Sequence, residues 1–206
     1  MKIAIFGATG GTGRQIAEQA LQAGHQVVAL ARDPAKLGLP ASPNLTVIPG
    51  NVLDATAAAK TVAGADAVFV SLGNTSNNPD MIVSSGTNVI VAAMKEQGVR
   101  RLIIISSIGV GDSKDQVPFA FKVLMGTVLR KAMEDKEEQE KVVRASGLDW
   151  TIIRPGGLTN NPPTGNYQTG VGLKVKAGQI SRADVATFAL AQLNDPQYIG
   201  KAPSIT

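Results

Sequence analysis

The chain has 206 residues, a formal net charge of +4, a single histidine and no cysteine. This length suffices for one well-buried domain, and we expect residues 1–206 to form a single domain. The absence of cysteine excludes disulfides and cysteine-bound metals, so we expect no metal site, and it fits a reducing cytosol.

The positive charges do not gather into a basic stripe. The densest charged stretch, residues 130–144, alternates in sign and places Glu137 with Lys141 and Glu140 with Arg144 at helical i,i+4 spacing, which predicts a solvated helix face. We therefore expect no nucleic-acid partner. The sequence shows no signal peptide and no apolar run of membrane-spanning length, so we predict a cytoplasmic protein without a membrane partner. Its oligomeric state stays open, and a monomer is compatible with the sequence.

Short β-branched runs alternate with longer amphipathic stretches along the chain. The predicted strands are Lys2–Phe6, Gln26–Ala31, Leu45–Ile48, Ala67–Val70, Leu102–Ser106 and Trp150–Arg154. The predicted helices are Thr12–Ala23, Asp54–Val62, Met81–Gln97, Phe119–Ser146 and Arg182–Leu193. Strands that are apolar on both faces, in alternation with helices, predict an α/β fold with a doubly wound parallel Rossmann sheet and helices on both faces.

A glycine-rich turn follows the first predicted strand. In the segment GATGGTG at positions 7–13, Gly7 permits a tight turn, Gly10 lets the backbone approach a pyrophosphate, and Gly13 allows close helix–strand packing. The hydroxyls of Thr9 and Thr12 add possible donors, and the following helix directs its free N–H groups at the phosphates. The alternative is a flavodoxin-like turn that binds no dinucleotide.

The second predicted strand ends at Ala31-Arg32-Asp33. An arginine at this strand tip suits the 2′-phosphate of NADP, whereas an acidic residue would accept a hydrogen bond from the 2′-hydroxyl of NAD. Because Arg32 comes first and Asp33 precedes a proline, we predict NADPH (NADP⁺) as the cofactor, with Arg14 as a second possible phosphate ligand. The alternative is that Arg32 is an ordinary surface cation.

Several segments together resemble the atypical short-chain dehydrogenases/reductases. The resemblance is strongest to the flavin reductase/biliverdin-IXβ reductase group of the NmrA-like NAD(P)-binding family. It covers nearly the whole chain and rests on KIAIFGATGGTG, TVAGADAV, NVIVAAMKEQGV, VVRASGL and a segment that ends in PPTGNY.

The resemblance implies a set of cofactor-binding residues. Those at the pyrophosphate would be Gly7, Thr9, Gly10 and Thr12, with Arg32 at the 2′-phosphate, and Gly11 of the same turn belongs to the cofactor-binding set. Asn51 and Val52 would lie along the adenine, where Asn51 replaces the expected aspartate, and Leu72 and Gly73 would lie along the ribose. Ser106 belongs to the same cofactor-binding set, and Ser107 would sit beside the nicotinamide. Across from Ser107, the apolar surface that receives the acceptor would be framed by Pro155, Gly156 and Gly157.

The chain departs from ordinary short-chain dehydrogenases in its acid–base residues. Their Tyr-x-x-x-Lys pair is missing, because Tyr167 and Tyr198 are followed four residues later by Val171 and Ala202. Lys136 is a candidate catalytic residue together with Ser107, although most lysines on charged helices are merely solvated. The stretch 117–134 is longer than in the relatives and is a candidate wall or lid, and loop 155–180 is the predicted substrate rim.

Without a dedicated proton donor, the site suits an acceptor that delocalises incoming electrons. The main hypothesis is an NADPH-dependent reductase that transfers hydride to a planar conjugated acceptor, a flavin such as FMN or a biliverdin. The alternative is an NmrA-like redox sensor or assembly factor that binds NAD(P) without turnover. A sugar-nucleotide epimerase is a third reading, but the chain is short for the usual substrate domain.

Overall fold

A computed structural model describes residues 1–73, 80–172 and 178–206, apart from the side chains of Ala120, Phe121 and Met125. The strands are β1 (Lys2–Phe6), β2 (Gln26–Ala31), β3 (Leu45–Pro49), β4 (Ala67–Val70), β5 (Arg101–Ile105), β6 (Asp149–Pro155), β7 (Gly157–Thr159), β8 (Thr169–Gly170), β9 (Gln179–Ser181) and β10 (Ser204–Ile205). The α-helices are α1 (Gly11–Gln22), α2 (Ala55–Val62), α3 (Ile82–Glu96), α4 (Phe119–Gly126), α5 (Arg130–Arg144) and α6 (Arg182–Ala191). Short 3₁₀ turns cover Pro34–Leu37, Gly111–Gln116 and Pro196–Tyr198.

Eight strands form the main sheet in the order β3-β2-β1-β4-β5-β6-β10-β8. All neighbours are parallel except β10 and β8, which are antiparallel. The strand order reverses between β1 and β4, so the connections leave these two strands in opposite directions. In such sheets a crevice opens at this point, beyond the carboxyl ends of the strands.

Helices cover both faces of the sheet, because successive side chains of each buried strand point to opposite faces. In β1, Ala4 and Phe6 pack with residues of α2, α3 and α5, whereas Ile3 and Ile5 pack with residues of α1 and α6. All four side chains are fully buried. The predicted doubly wound Rossmann sheet is therefore confirmed.

Two parts of the chain differ from the sequence prediction. The single helix expected over Phe119–Ser146 is two helices, α4 and α5. The helix stops at Gly126 and Thr127, where the threonine hydroxyl donates back to the carbonyl of Val123 at 2.9 Å and so competes with the helical pattern. The prediction also missed the short strands β7 to β10. Of these, β10 and β8 extend the main sheet beyond β6, and β7 pairs with β9 in a separate two-stranded sheet.

The charged helix α5 is not simply solvated, as its alternating signs had predicted. Asp135, Gln139 and Glu140 are buried. Asp135 accepts hydrogen bonds from the backbone N–H groups of Val83 (2.9 Å) and Ser84 (2.8 Å), which supplies the start of α3 with the partners it lacks within the helix. The prediction that Glu140 faces water was wrong, because its side chain is buried against the sheet, although Glu140 and Arg144 do approach to 3.6 Å as predicted. In place of the predicted Glu137–Lys141 pair, Glu137 binds Lys114 at 2.7 Å and Lys141 binds Glu138 at 2.6 Å.

The predicted substrate rim is fastened to α6 by one carboxylate. Buried Asp184 accepts hydrogen bonds from the backbone N–H groups of Thr164 and Gly165, both at 3.0 Å, and from the Ser181 hydroxyl at 2.8 Å. Burial alone would raise the pKa of Asp184, but these hydrogen bonds outweigh it and lower the pKa.

We expect Asp184→Asn to lower the free energy of unfolding by about 1–3 kcal/mol, because the amide presents donors to donors in a buried position. Denaturant unfolding at neutral pH measures the loss. The folded-state pKa of Asp184 is depressed, so its contribution is present above the unfolded pKa of about 4 and disappears as the pH falls through the folded value. The difference between parent and variant should therefore shrink in acid. Glu138→Gln, which alters a half-exposed carboxylate on α5, is the matched control, and equal stability of both variants would contradict this role for Asp184.

Candidate functional site

A cleft of about 460 Å³ opens at the carboxyl ends of β1, β2, β4 and β5. Of the sixteen site residues predicted from the sequence, all but one line this cleft. They are Gly7, Thr9, Gly10, Gly11, Thr12, Arg32, Asn51, Val52, Leu72, Gly73, Ser106, Ser107, Lys136, Pro155 and Gly156. The exception is Gly157, which begins β7 and lies outside the lining of the cleft.

The glycine turn is built by close backbone approach. Gly7 has a φ of +88°, and a Cβ there would overlap the carbonyl oxygen of Ser71 at the end of β4. A Cβ on Gly13 would overlap the carbonyl of Gly7, so helix α1 leaves directly from the strand end. Gly10 precedes the helix, and no side chain caps it. The first N–H groups of α1 therefore point into the cleft without a side-chain acceptor, an arrangement that suits a phosphate.

The middle of the cleft is narrow and apolar. A Cβ on Gly86 of α3 would lie 2.8 Å from the Val52 side chain and 3.2 Å from that of Leu72. This glycine lets α3 approach and support both residues. The Asn51 side-chain oxygen accepts from the backbone N–H of Leu53 at 3.1 Å, so the loop that leads into α2 holds its own conformation. Such a floor suits the flat face of an adenine.

The two charged residues that follow β2, Arg32 and Asp33, lie in different surroundings. Exposed Arg32 lines the cleft. Asp33 instead caps the 3₁₀ turn Pro34–Leu37, where its carboxylate accepts from the backbone N–H of Ala35 at 3.1 Å and pairs with Lys36 at 3.6 Å. Asp33 is not among the residues that line the cleft. The guanidinium of Arg14, the other predicted phosphate ligand, lies beside Gly38 rather than in the cleft lining.

Two side chains at the far end of the cleft, those of Lys136 and Ser107, can donate hydrogen bonds there. Half-buried Lys136 donates from Nζ to the carbonyl oxygen of Ile105 at 3.1 Å. Burial disfavours its ammonium form and lowers its pKa to about 8, although Asp135 and Glu140 partly counteract this effect. The Ser107 hydroxyl donates to the carbonyl of Ile108 at 3.1 Å. A group that titrates near neutral pH at the end of a cleft is a candidate proton donor.

A buried ion cluster, which the sequence analysis missed, lies behind this end of the cleft. Arg154 is 2 % exposed and binds Glu140 through Nε–Oε1 (2.9 Å) and Nη2–Oε2 (2.5 Å), and it also contacts Asp112 at 2.6 Å. The Ser106 hydroxyl donates to Glu140 at 2.7 Å, so this hydroxyl is committed to the cluster. Burial lowers the pKa of Arg154, but Glu140 and Asp112 outweigh that effect and raise it.

Both tyrosines lie away from the cleft. The ring of Phe188 makes edge contacts with those of Tyr167 and Tyr198, at centroid distances of 6.1 and 5.8 Å. Among the described residues of 117–134, none lines the cleft, so the proposed lid stays a prediction. The predicted rim 155–180 contributes Pro155, Gly156 and Leu158, while residues 173–177 lie outside the described part of the chain.

Arg182 is the most consequential cleft residue that sequence reasoning missed. It is the first residue of α6 and follows β9 directly, so only the strand topology brings it to the glycine turn. The remaining lining residues that were missed are Leu30, Ala31, Gly50, Ser71, Ile82, Ile105 and Leu158. Several of these end strands whose carboxyl ends were already predicted to meet here, a signal that could have identified them.

A parallel sheet with a glycine turn at its topological switch point defines a dinucleotide-binding Rossmann protein. Residues 7–196 match the NAD(P)H-binding family, and the chain belongs to that family. The resemblance to the atypical short-chain dehydrogenases/reductases is thereby confirmed. The residues present fit such a cofactor, because glycines stand where side chains would fill the cradle.

Known proteins are similar along almost the whole chain. An uncharacterised chloroplastic protein of Arabidopsis thaliana is 35% identical over 93% of this chain and 72% of its own length. The (4-alkanoyl-5-oxo-2,5-dihydrofuran-3-yl)methyl phosphate reductase of Streptomyces griseus is 29% identical over 99% of this chain and 67% of its length. The structure of ChuY, an anaerobillin reductase from Escherichia coli O157:H7, superposes with a TM-score of 0.81 at 26% identity, covering 100% of this chain and 96% of ChuY.

These relatives do not share one stated compartment, so the cytoplasmic location stays a prediction. Within the described residues, no helix combines the length and the apolar character that crossing a membrane requires.

We expect Gly10→Val to abolish binding of both NADPH and NADH while the far-ultraviolet circular dichroism stays native. Gly10 has φ −82° and ψ 159°, an extended conformation that valine adopts readily. A Cβ there would lie 3.3 Å from the carbonyl oxygen of Gly7, so the turn shifts slightly and the branched side chain chiefly obstructs the phosphates. Cofactor fluorescence titration measures the loss. The control is Gly170→Ala, because the added Cβ would meet nothing within 4 Å and this variant should bind both cofactors normally. Exposed Gly24 does not serve as a control position, because its φ of +80° disfavours alanine. Undiminished affinity in folded Gly10→Val would remove this turn from the site.

Proposed function

We propose that the protein is an NADPH-dependent reductase of a planar conjugated acceptor, a flavin such as FMN or a bilin such as biliverdin. One observation carries the proposal: the cleft is continuous from the phosphate-binding turn to Ser107 and Lys136, and no tyrosine is among its described lining residues. When bound, NADPH supplies the hydride. The residues of the chain bind and orient both molecules, exclude water and hold a proton at Lys136.

The position of Arg32 supports NADPH over NADH. Its side chain lines the cleft, and a guanidinium matches the geometry and charge of a phosphate. Asp33, the residue that would favour the 2′-hydroxyl of NADH, is held by the backbone of the next turn. The charge at this end of the cleft therefore suits an additional phosphate.

The opposite end of the cleft supports an acceptor with a flat, apolar face. Ile105, Pro155, Gly156 and Leu158 present little polar side-chain surface there. Lys136 brings a positive charge to the same end, which suits a carboxylate or phosphate on the acceptor as well as proton donation. A delocalised acceptor spreads the incoming negative charge, so it needs less help than a simple ketone, whose alkoxide would call for a strong donor.

Two relatives support a reductase without defining this acceptor. ChuY is described as an anaerobillin reductase, and the Streptomyces griseus protein is described as a reductase of an oxo-dihydrofuranyl methyl phosphate. The first name states a bilin-type substrate, and the second states a small cyclic substrate that carries a phosphate. Substrates of these kinds match a site that combines an apolar wall with the positive charge of Lys136.

The direct test is an acceptor panel at saturating NADPH or NADH. We expect steady oxidation of NADPH with FMN and with biliverdin, slower oxidation of NADH, and far slower reaction with simple aldehydes and ketones. Absorbance at the nicotinamide band follows each reaction, and product spectra identify the reduced acceptor.

Two results of the panel would overturn this assignment. Tight NADPH binding without oxidation by flavins, bilins or quinones would favour a redox sensor or assembly factor instead. Brisk reduction of unactivated ketones would show that a strong proton donor acts in the cleft.

The pKa of Lys136 predicts a pH dependence. Below about 8 the side chain is an ammonium that can donate a proton, and above this value it cannot, so kcat/KM should fall as the pH rises through about 8. In Lys136→Met this alkaline limb should disappear, and the rate at neutral pH should fall by about a hundredfold, the lower end of what a general acid contributes. Thermal stability should hold, because methionine buries no charge.

Lys131→Met, which removes an exposed lysine of the same helix, should keep the parent profile. Identical profiles for Lys136→Met and the parent would exclude proton donation by Lys136.

A further inference from the structure

Gly11 has no explanation in the glycine motif itself. Gly7 makes the turn, Gly10 admits the phosphates and Gly13 packs against the strand, whereas Gly11 is the first residue of α1 and does not have a positive φ. An alanine would be compatible with that backbone. The structure supplies a different reason: a Cβ on Gly11 would lie 2.7 Å from both Cδ and Nε of Arg182. The glycine leaves room for an arginine side chain that crosses the end of the helix.

Arg182 reaches this position from the other side of the cleft. It begins α6, its half-buried side chain lines the cleft, and its Nη1 donates to the Asn160 side-chain oxygen at 2.8 Å. Asn160 follows β7, so this hydrogen bond connects the loop on the substrate side with the phosphate-binding turn. A guanidinium carries five N–H donors, and the bond to Asn160 orients the remaining ones.

The charges at this point favour an anion. The N-terminus of α1 carries partial positive charge, and the helix has no acidic residue in its first turn and no side-chain cap. A guanidinium and a helix N-terminus are both positive, so placing them side by side is electrostatically unfavourable unless an anion lies between them. Phosphate satisfies both, since it accepts hydrogen bonds from the helix N–H groups and from arginine.

We propose that Arg182 is a pyrophosphate-binding residue that closes over the dinucleotide from the α6 side, with Gly11 providing the space and Asn160 setting its orientation. The inference rests on dinucleotide binding at this turn but not on any acceptor. Because NADH and NADPH share the pyrophosphate, Arg182 contributes equally to both. Arg32, at the other end of the adenosine, distinguishes between them.

The test compares three ligands by calorimetric titration: NADPH, NADH and adenosine 2′-monophosphate, which has no pyrophosphate. Arg182→Ala should weaken NADPH and NADH by the same factor, about ten- to a hundredfold, and leave the monophosphate unchanged. Arg32→Ala is the matched comparison and should weaken NADPH and the monophosphate but spare NADH. Arg182→Lys keeps the charge without the fork and should show an intermediate loss. Unchanged NADH affinity in folded Arg182→Ala would overturn the proposal.

A double-mutant cycle of Gly11→Ala and Arg182→Ala separates the contributions of Gly11 and Arg182 to dinucleotide affinity. The added methyl group displaces the Arg182 side chain without removing its charge, so Gly11→Ala should weaken both dinucleotides in the parent but have little further effect in Arg182→Ala. Additive losses would show that the methyl group meets the cofactor directly, and would contradict this role for Gly11. Because every readout is binding, a protein that binds dinucleotide without turnover would overturn the proposed reductase and leave this inference standing.

Discussion

Arg154 carries a full positive charge into the interior of the sheet, and the arrangement of this end of the molecule follows from its neutralisation. Its guanidinium is held by both carboxylate oxygens of Glu140 and by Asp112, while Ser106 satisfies a further lone pair of Glu140. One cluster therefore joins β6, the end of β5, helix α5 and the 3₁₀ turn Gly111–Gln116. Removal of one partner from such a buried pair typically costs about 3–5 kcal/mol, because the other charge stays buried and unpaired.

The cluster also decides where Lys136 lies. Glu140 is one helical turn after Lys136, so when Glu140 turns inward to Arg154, the lysine is brought to the cleft on the same side of α5. Asp135, which caps the start of α3, fixes the rotation of the helix independently. Between these two anchors the burial of Lys136 lowers its pKa to about 8, and the nearby charges of Asp135 and Glu140 limit the decrease. The fold and the chemistry of the site thus depend on residues 135–140, fewer than two turns of one helix.

The sequence was most informative where a short local pattern determines structure. Continuously apolar runs identified the six long parallel strands, and the glycine turn with its strand and helix located the cofactor cleft. Contacts between distant segments could not be predicted in this way. The i,i+4 spacing predicted the approach of Arg144 to Glu140, but nothing near Glu140 in sequence indicates that the same carboxylate is buried and also binds Arg154. The two-residue strand β10 and the position of Arg182 likewise depend on how distant segments meet, so local propensity carries no signal for them.

The pairing of β1 with β4 has a consequence for how the protein folds. Phe6 and Val70 are register partners although they are 64 residues apart in sequence, so the central pair of the sheet forms only after a long loop has closed. Sheets dominated by such pairings fold slowly. The glycine turn faces Ser71 only once this pair exists, so a dinucleotide recognises the completed sheet and not its precursors. Cofactor binding is therefore expected to retard unfolding while leaving the folding rate almost unchanged, which makes occupancy of the cleft a determinant of how long the native state persists.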